Sequence, residues 1–297
     1  MKLKQIAIAA ALMASATAFA AILPGNVVDP TATTQGNSEL FFVAWDPVAK
    51  VSYALDLGIQ QNQFRAVADN AAAGYTQTWT FGTGGANDTT YFNQFIAATA
   101  QANWRWSVQS TDNIGTNGLN GKSLTTTVTN GVTIAGTASG SVGATGNNVL
   151  GTSLATYDTF TGISSDLGSH VPFNDFAVNG ANVSVSSNPS SYFLAVANPG
   201  FNGNGQFDWT TDNAFGQSAS YVYLTRSSTS NQTTALVSLR QYGNEGGFGS
   251  FTFAGGTAGS PFSLTYSLAP VPEAQTYAMM LAGLGCLVML ARRRKAD

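Results

Sequence analysis

Between Phe262 and Leu268 the chain alternates without a fault. Phe262, Leu264, Tyr266 and Leu268 fall on one side, and Ser263, Thr265 and Ser267 on the other. A period of two is the signature of a strand with one buried and one solvated face. Short stretches of this kind recur from Glu39 onward, separated by clusters of Gly, Asn, Asp and Pro. Many short strands with turn signals every ~8–15 residues point to an antiparallel β-sandwich or barrel-like sandwich, here with one or two short helices. No fixed internal repeat is present.

Glu39 to Trp45 is a continuous apolar run stopped by Asp46-Pro47, which reads as a strand buried on both faces. Val51, Tyr53 and Leu55 alternate with polar or small residues on the return, so Asp46 to Ala49 forms a hairpin loop. Two helices are expected next. One runs from Gln61 to Ala73, with Phe64, Val67, Ala68 and Ala71 on one face; the other runs from Thr89 to Ala102, with Tyr91, Phe92, Phe95, Ile96 and Thr99 as its stripe. Lys122 to Ala138 reads as a hairpin about Asn130-Gly131, pairing Val128 with Val132 and Thr126 with Ile134. Residues 135–153, poor in large apolar side chains, are the place for a break between subdomains. Later strands are expected at Ala155–Thr161, Asp175–Val178, Ala181–Ser187, Tyr192–Ala197, Ser218–Arg226, Thr233–Tyr242 and Gly249–Ala254.

Trp104-Arg105-Trp106-Ser107-Val108 puts both tryptophans on one strand face and Arg105 on the other. Buried, the pair is core. Exposed, it is a stacking platform for a sugar, with Trp209 in a later loop as a third candidate. In the Gly-rich stretch from Phe201 to Asn213, the oxygen-bearing Asn202, Asn204, Asp208 and Asp212 could supply a calcium site, although Asx-turns account for the same residues.

Enzymatic chemistry finds few residues to use. His170 is the only histidine, and no Gly-x-Ser-x-Gly element accompanies it. The only cysteine is Cys286. A zinc site or a thiol nucleophile therefore has no ligand set before that position. Residues 21–271 hold six Lys and Arg against thirteen Asp and Glu, a net charge of about −7, where the whole chain carries −3. A dilute negative charge without a basic patch excludes nucleic acid as the expected partner, since phosphate neutralisation supplies most of that affinity.

The two ends of the chain speak of export. Lys2 and Lys4 precede an apolar stretch from Ile6 to Ala14 and then Ala18-Phe19-Ala20, which reads as a signal peptide over 1–20 cut between Ala20 and Ala21. Residues 21–271 are then the exported β-rich domain. At the other end, an apolar run over 276–291 is followed by Arg292, Arg293, Arg294 and Lys295. Fifteen uncharged residues from Tyr277 to Ala291 span ~22 Å as a helix, a short membrane crossing that snorkelling cations can extend. The basic cluster fixes that end on the cytoplasmic side.

The order of parts in 272–297 carries a resemblance. Val271-Pro272-Glu273-Ala274, the small-residue span Met280-Leu281-Ala282-Gly283-Leu284-Gly285, and the terminal basic cluster resemble the PEP-CTERM sorting signal of Gram-negative bacteria. Ala274 stands where the namesake motif has a second proline. The resemblance covers 26 of the 297 residues. It implies an exosortase-like processing enzyme as partner, a transient membrane anchor, and a final place at the cell surface or in an extracellular polysaccharide or biofilm matrix. The expected role is structural or adhesive; a carbohydrate-binding module and a secreted hydrolase are the alternatives.

Overall fold

A computed structural model describes residues 39–70, 74–82, 86–112, 122–129, 134, 150, 181–184, 192–194, 212–225, 236–244 and 247–268. The fold is mostly β, with one antiparallel, strongly curled sheet and two helices. Its strands are β1 (Glu39–Asp46), β2 (Val51–Gln60), β3 (Thr76–Thr80), β4 (Arg105–Asp112), β5 (Ser123–Thr129), β6 (Ala181–Ser184), β7 (Asn213–Ala214), β8 (Ser218–Thr225), β9 (Ser238–Gln241), β10 (Gly243–Asn244), β11 (Gly247–Ala254) and β12 (Ser263–Leu268). The helices are α1 (Gln61–Asn70) and α2 (Ala86–Ala98). The main path runs β3-β12-β11-β8-β5-β4-β1-β2-β6.

The curl has a measurable consequence. Phe42 on β1 and Phe253 on β11 lie four strand steps apart, which in a flat sheet is ~19 Å. Their ring centroids are 4.9 Å apart. The sheet bends until its concave face closes on its own side chains. A second sheet, as a sandwich would have, is absent among the described residues; the inner layer is completed by the helices instead.

The inner face is aromatic. Phe42, Phe81 and Phe253 meet at 4.8–5.2 Å. Phe64 of α1 inserts between Tyr221 and Tyr266 at 5.4 and 4.9 Å. On α2, Phe92 and Phe95 bury against Tyr53. Edge-on and offset ring pairs of this kind add ~0.5–1.5 kcal/mol each beyond the area that they bury. Gly249 is required here, because a Cβ at that position would collide with the Tyr266 ring.

Several expectations hold. β1 is buried along its whole length, as a strand covered on both faces must be. The hairpin to β2 forms with Asp46 opposite Val51, and the Asp46 carboxylate accepts the N–H of Val48 and of Ala49 to close the turn. β12 alternates as its sequence requires, with Leu264, Tyr266 and Leu268 inward. α1 is seen from Gln61 to Asn70, with the last three expected positions outside the described residues, and α2 both starts and ends earlier than expected. After α2, Thr99 Oγ1 donates back to the Phe95 carbonyl at 2.6 Å, and the Ala100 N–H turns to the Asp46 carboxylate at 3.1 Å. Asp46 thus ends the helix by drawing its next backbone donor away.

Two expectations fail. The hairpin about Asn130-Gly131 does not pair Thr126 with Ile134. β5 is an interior strand, and Thr126 faces Gln109 of β4 on one side and Val222 of β8 on the other. Strand β3 has no counterpart among the expected strands. The strand expected from Tyr192 is also not seen in its described part, where Phe193 and Leu194 are helical. The expected strands at 155–161 and 175–178 lie outside the described residues.

Candidate functional site

The tryptophan pair is core. Trp104 is 1% exposed and Trp106 fully buried. Their indole N–H groups are spent inside the fold, Trp104 Nε1 on Thr99 Oγ1 at 2.8 Å and Trp106 Nε1 on the Ala214 carbonyl at 3.0 Å. The sugar platform at these two positions is therefore corrected, because the curl of the sheet turns their shared strand face inward. Trp209 lies outside the described residues, as do Asn202, Asn204, Asp208 and His170. Of the four oxygen-bearing candidates for calcium, Asp212 alone can be placed, with its carboxylate 3.6 Å from Arg105. Burial raises its pKa and the Arg105 charge opposes that rise. Among the described residues, no group of three or more His, Cys, Asp or Glu could hold a metal ion.

Around Trp106 the sheet forks. β4 pairs with β7 at Arg105 and Trp106 and with β5 from Gln109 onward. Between the two ladders the backbone would lose its partners. Side chains fill the gap: Thr127 Oγ1 accepts the Val108 N–H at 3.1 Å and bonds the Ser107 hydroxyl at 2.9 Å. Asn213 Nδ2 donates to the Trp106 carbonyl and to Thr127 Oγ1. Buried backbone groups are almost always paired, and this polar knot meets that requirement at the fork. It is structural machinery, closed to solvent.

The convex face of the sheet is the surface that remains. Its chemistry changes along a single strand. On β8 the outward residues are Ser218, Ser220, Val222 and Leu224. Val222 and Leu224 join Phe41, Val43, Trp45, Leu124 and Val128 in a second buried cluster, roofed by Leu150, Tyr192 and Phe193. From Ser220 toward the β3 edge no described residue roofs the sheet, and the outward positions carry hydroxyls except Ala254 and the exposed Phe248 near the start of β11.

These hydroxyls stand in register. Thr78, Thr265, Thr252 and Ser218 form one row across β3, β12, β11 and β8, and Thr76, Ser267, Ser250 and Ser220 form a parallel row. Thr80 and Ser263 begin a third row. Thr78 and Thr265 share a hydrogen bond at 3.1 Å, and Ser218 and Thr252 share one at 2.6 Å. Thr76 and Thr78 are exposed and the others half-buried by their own neighbours. Neighbouring strands are ~4.8 Å apart and same-face residues ~6.8 Å apart along a strand, so the array is a regular lattice of donors and acceptors. It contains no charged side chain and no aromatic one.

In β12 the sequence marks these polar positions only as the solvated half of an alternation. The signal was present in Thr76-Gln77-Thr78-Trp79-Thr80, which alternates as cleanly as β12. What the sequence could not show is which strands lie side by side.

No protein-family model matches this chain, and neither a curated protein nor a solved structure matches it. Among the described residues no helix is long and apolar enough to cross a membrane. The expected span at 276–291, the motif Val271 to Ala274, the basic cluster from Arg292 to Lys295 and the cleavage position at Ala20 and Ala21 all lie outside them.

Proposed function

We propose that this chain is an exported surface or extracellular-matrix protein whose work is structural or adhesive, and whose tail is processed by an exosortase-like enzyme. The observation that carries the adhesive part is the bare half of the convex face, a broad array of hydroxyls without charge. A surface of this kind makes many weak, exchangeable hydrogen bonds, each worth little alone against water. Its use lies in repetition along an extended partner, which is the situation in a hydrated matrix.

The sorting part rests on the tail and on where it leaves the fold. β12 ends at Leu268, held between β11 and β3 by ladders on both sides. Pro272 follows only four positions later. At ~3.4 Å per extended residue, the motif reaches no more than ~14 Å from that strand end. A membrane-embedded processing enzyme would thus meet Pro272-Glu273 beside the folded sheet, or before β12 has docked between its neighbours.

Replacing Pro272-Glu273 by Ala-Ala and following the size and location of the protein in its native host tests this. The expected result is retention of the unprocessed chain in the membrane fraction. Processing and release at the normal rate would leave a plain anchor and remove the exosortase from the account.

A further inference from the structure

We infer that the hydroxyl rows across β8, β11, β12 and β3 are a binding surface for an uncharged polysaccharide in extended form, lying across the strands with about one sugar residue per strand. The inference rests on the reading of the chain as an exported matrix protein and names the partner of its bare face.

Three properties of the face select the occupant. The first is charge. No Asp, Glu, Lys or Arg stands in the rows. An anionic polymer would find no counter-charge, and hydroxyls alone cannot repay the desolvation of its carboxylates. The second is that no aromatic ring stands in the rows themselves; the exposed ring on the outward side of β11, Phe248, lies two residues before Ser250, beyond the rows. Stacking can hold a sugar only at that end, and affinity along the rows has to come from repetition. The third is pitch. The rows run perpendicular to the strands, with a step of ~4.8 Å. A pyranose chain joined through equatorial bonds advances by a similar step per residue and offers hydroxyls along both edges.

The rows also hold unspent groups. In the row Thr76, Ser267, Ser250 and Ser220, no hydroxyl is bonded to another group of the described residues, whereas the neighbouring row is knit into two pairs. Among the described residues, one row is thus held in place by its own bonds and the other is not. A protein partner would need a cluster of apolar anchors to generate affinity, whereas the rows present only threonine methyls with the single exposed ring of Phe248 at one end.

The test uses the full chain in mild detergent, titrated with neutral β-1,4-linked glucose oligosaccharides of increasing length and with an oligogalacturonate as the anionic control. Affinity should rise with each added residue up to about four, the number of strands in the rows, and flatten beyond. The anionic oligomer should bind at least tenfold more weakly. Ser250→Ala and Ser267→Ala should each weaken binding by roughly fivefold, the usual worth of one neutral hydrogen bond. Thr265→Lys, with folding checked by circular dichroism, keeps the strand and spoils the neutrality; it should weaken the neutral glycan and improve the anionic one.

Equal affinity for all lengths, binding unchanged by the serine variants, or no binding by a folded chain would each overturn the inference. Self-association that masks the face, seen as a dimer whose contact is broken by Thr265→Lys, would overturn it too and assign the rows to a second copy. None of these outcomes touches tail processing, so failure here and failure of the sorting proposal are separable.

Discussion

The convex side of the sheet is two surfaces of one curved layer, and they differ in almost everything except backbone. Across β1, β5 and the C-terminal half of β8, the outward apolar residues Phe41, Val43, Trp45, Leu124, Val128, Val222 and Leu224 form a buried cluster, with the equally buried Gln109 of β4 and Thr126 of β5 among them. Across the N-terminal half of β8, β11, β12 and β3 the outward residues are Ser and Thr apart from Ala254 and Phe248, and among the described residues no roof covers them. The change falls between Ser220 and Val222, two residues of one strand. Burial on the concave side is continuous beneath both halves, so folding does not need the bare half to be polar. The proposed adhesive role rests on this open half.

The largest effect that distinguishes the halves is expected from Leu224→Ala. Leu224 is fully buried under the roof, and a cavity there should cost about 2–5 kcal/mol in chemical denaturation. A loss under 1 kcal/mol would mean that the roof is loose and the two halves are more alike than they look.

Asp46 comes next, at the edge of the roofed half. Its carboxylate holds the N–H groups of Val48, Ala49 and Ala100, while its backbone carbonyl accepts the Tyr192 hydroxyl. Desolvation raises its pKa, but the hydrogen bonds from Ala49, Ala100, Val48 and Asn103 outweigh it, and the net direction is down from 3.8. An acid whose folded pKa is lowered stabilises the fold fully above its unfolded value, and loses that contribution as pH falls through the folded one. Asp46→Asn should therefore cost about 1–2 kcal/mol at pH 7. The gap between variant and parent should narrow below about pH 4. Asp212 has the opposite sign: its pKa is raised by burial, so falling pH relieves a cost instead of removing a benefit. Parallel acid titrations of Asp46→Asn and Asp212→Asn should diverge from the parent in opposite senses.

Ser52→Ala is a smaller perturbation aimed at the roof alone. Ser52 Oγ accepts the Phe193 N–H at 3.0 Å. Losing it should cost about 1 kcal/mol and speed amide exchange at Phe193 while leaving β11 and β12 unchanged. Smallest of all should be Thr265→Val on the bare half. It keeps the β-branched shape and removes one partly exposed hydroxyl, so stability should move by no more than ~0.5 kcal/mol.

How much of this was legible in the sequence depends on whether the signal was local. The strand from Glu39, the Asp46-Pro47 turn, the two helices and the alternation at Phe262–Leu268 are written in neighbouring residues, and they appear where expected. The inward turn of Trp104 and Trp106 was one of two readings that alternation allowed; only the curl of the sheet decides it. The fork plugged by Thr127 and Asn213 joins residues 86 positions apart, beyond the reach of any pattern. The expected pairing of Thr126 with Ile134 misled because a good local turn signal competed with two long-range ladders on β5. Likewise, the hydroxyl rows become a site only once β3, separated from β12 by nearly the length of the domain, is laid beside it.

The measurement that bears most directly on the account compares Ser220's half of the face with Val222's half in living cells. With Cys286→Ala as background, single cysteines at Thr252→Cys and Val222→Cys are exposed to a membrane-impermeant maleimide on intact host cells. The account predicts rapid labelling at position 252, slowed by added neutral glycan, and strong protection at position 222. Equal labelling at the two positions, or none at 252 in cells that express the folded protein, would contradict it.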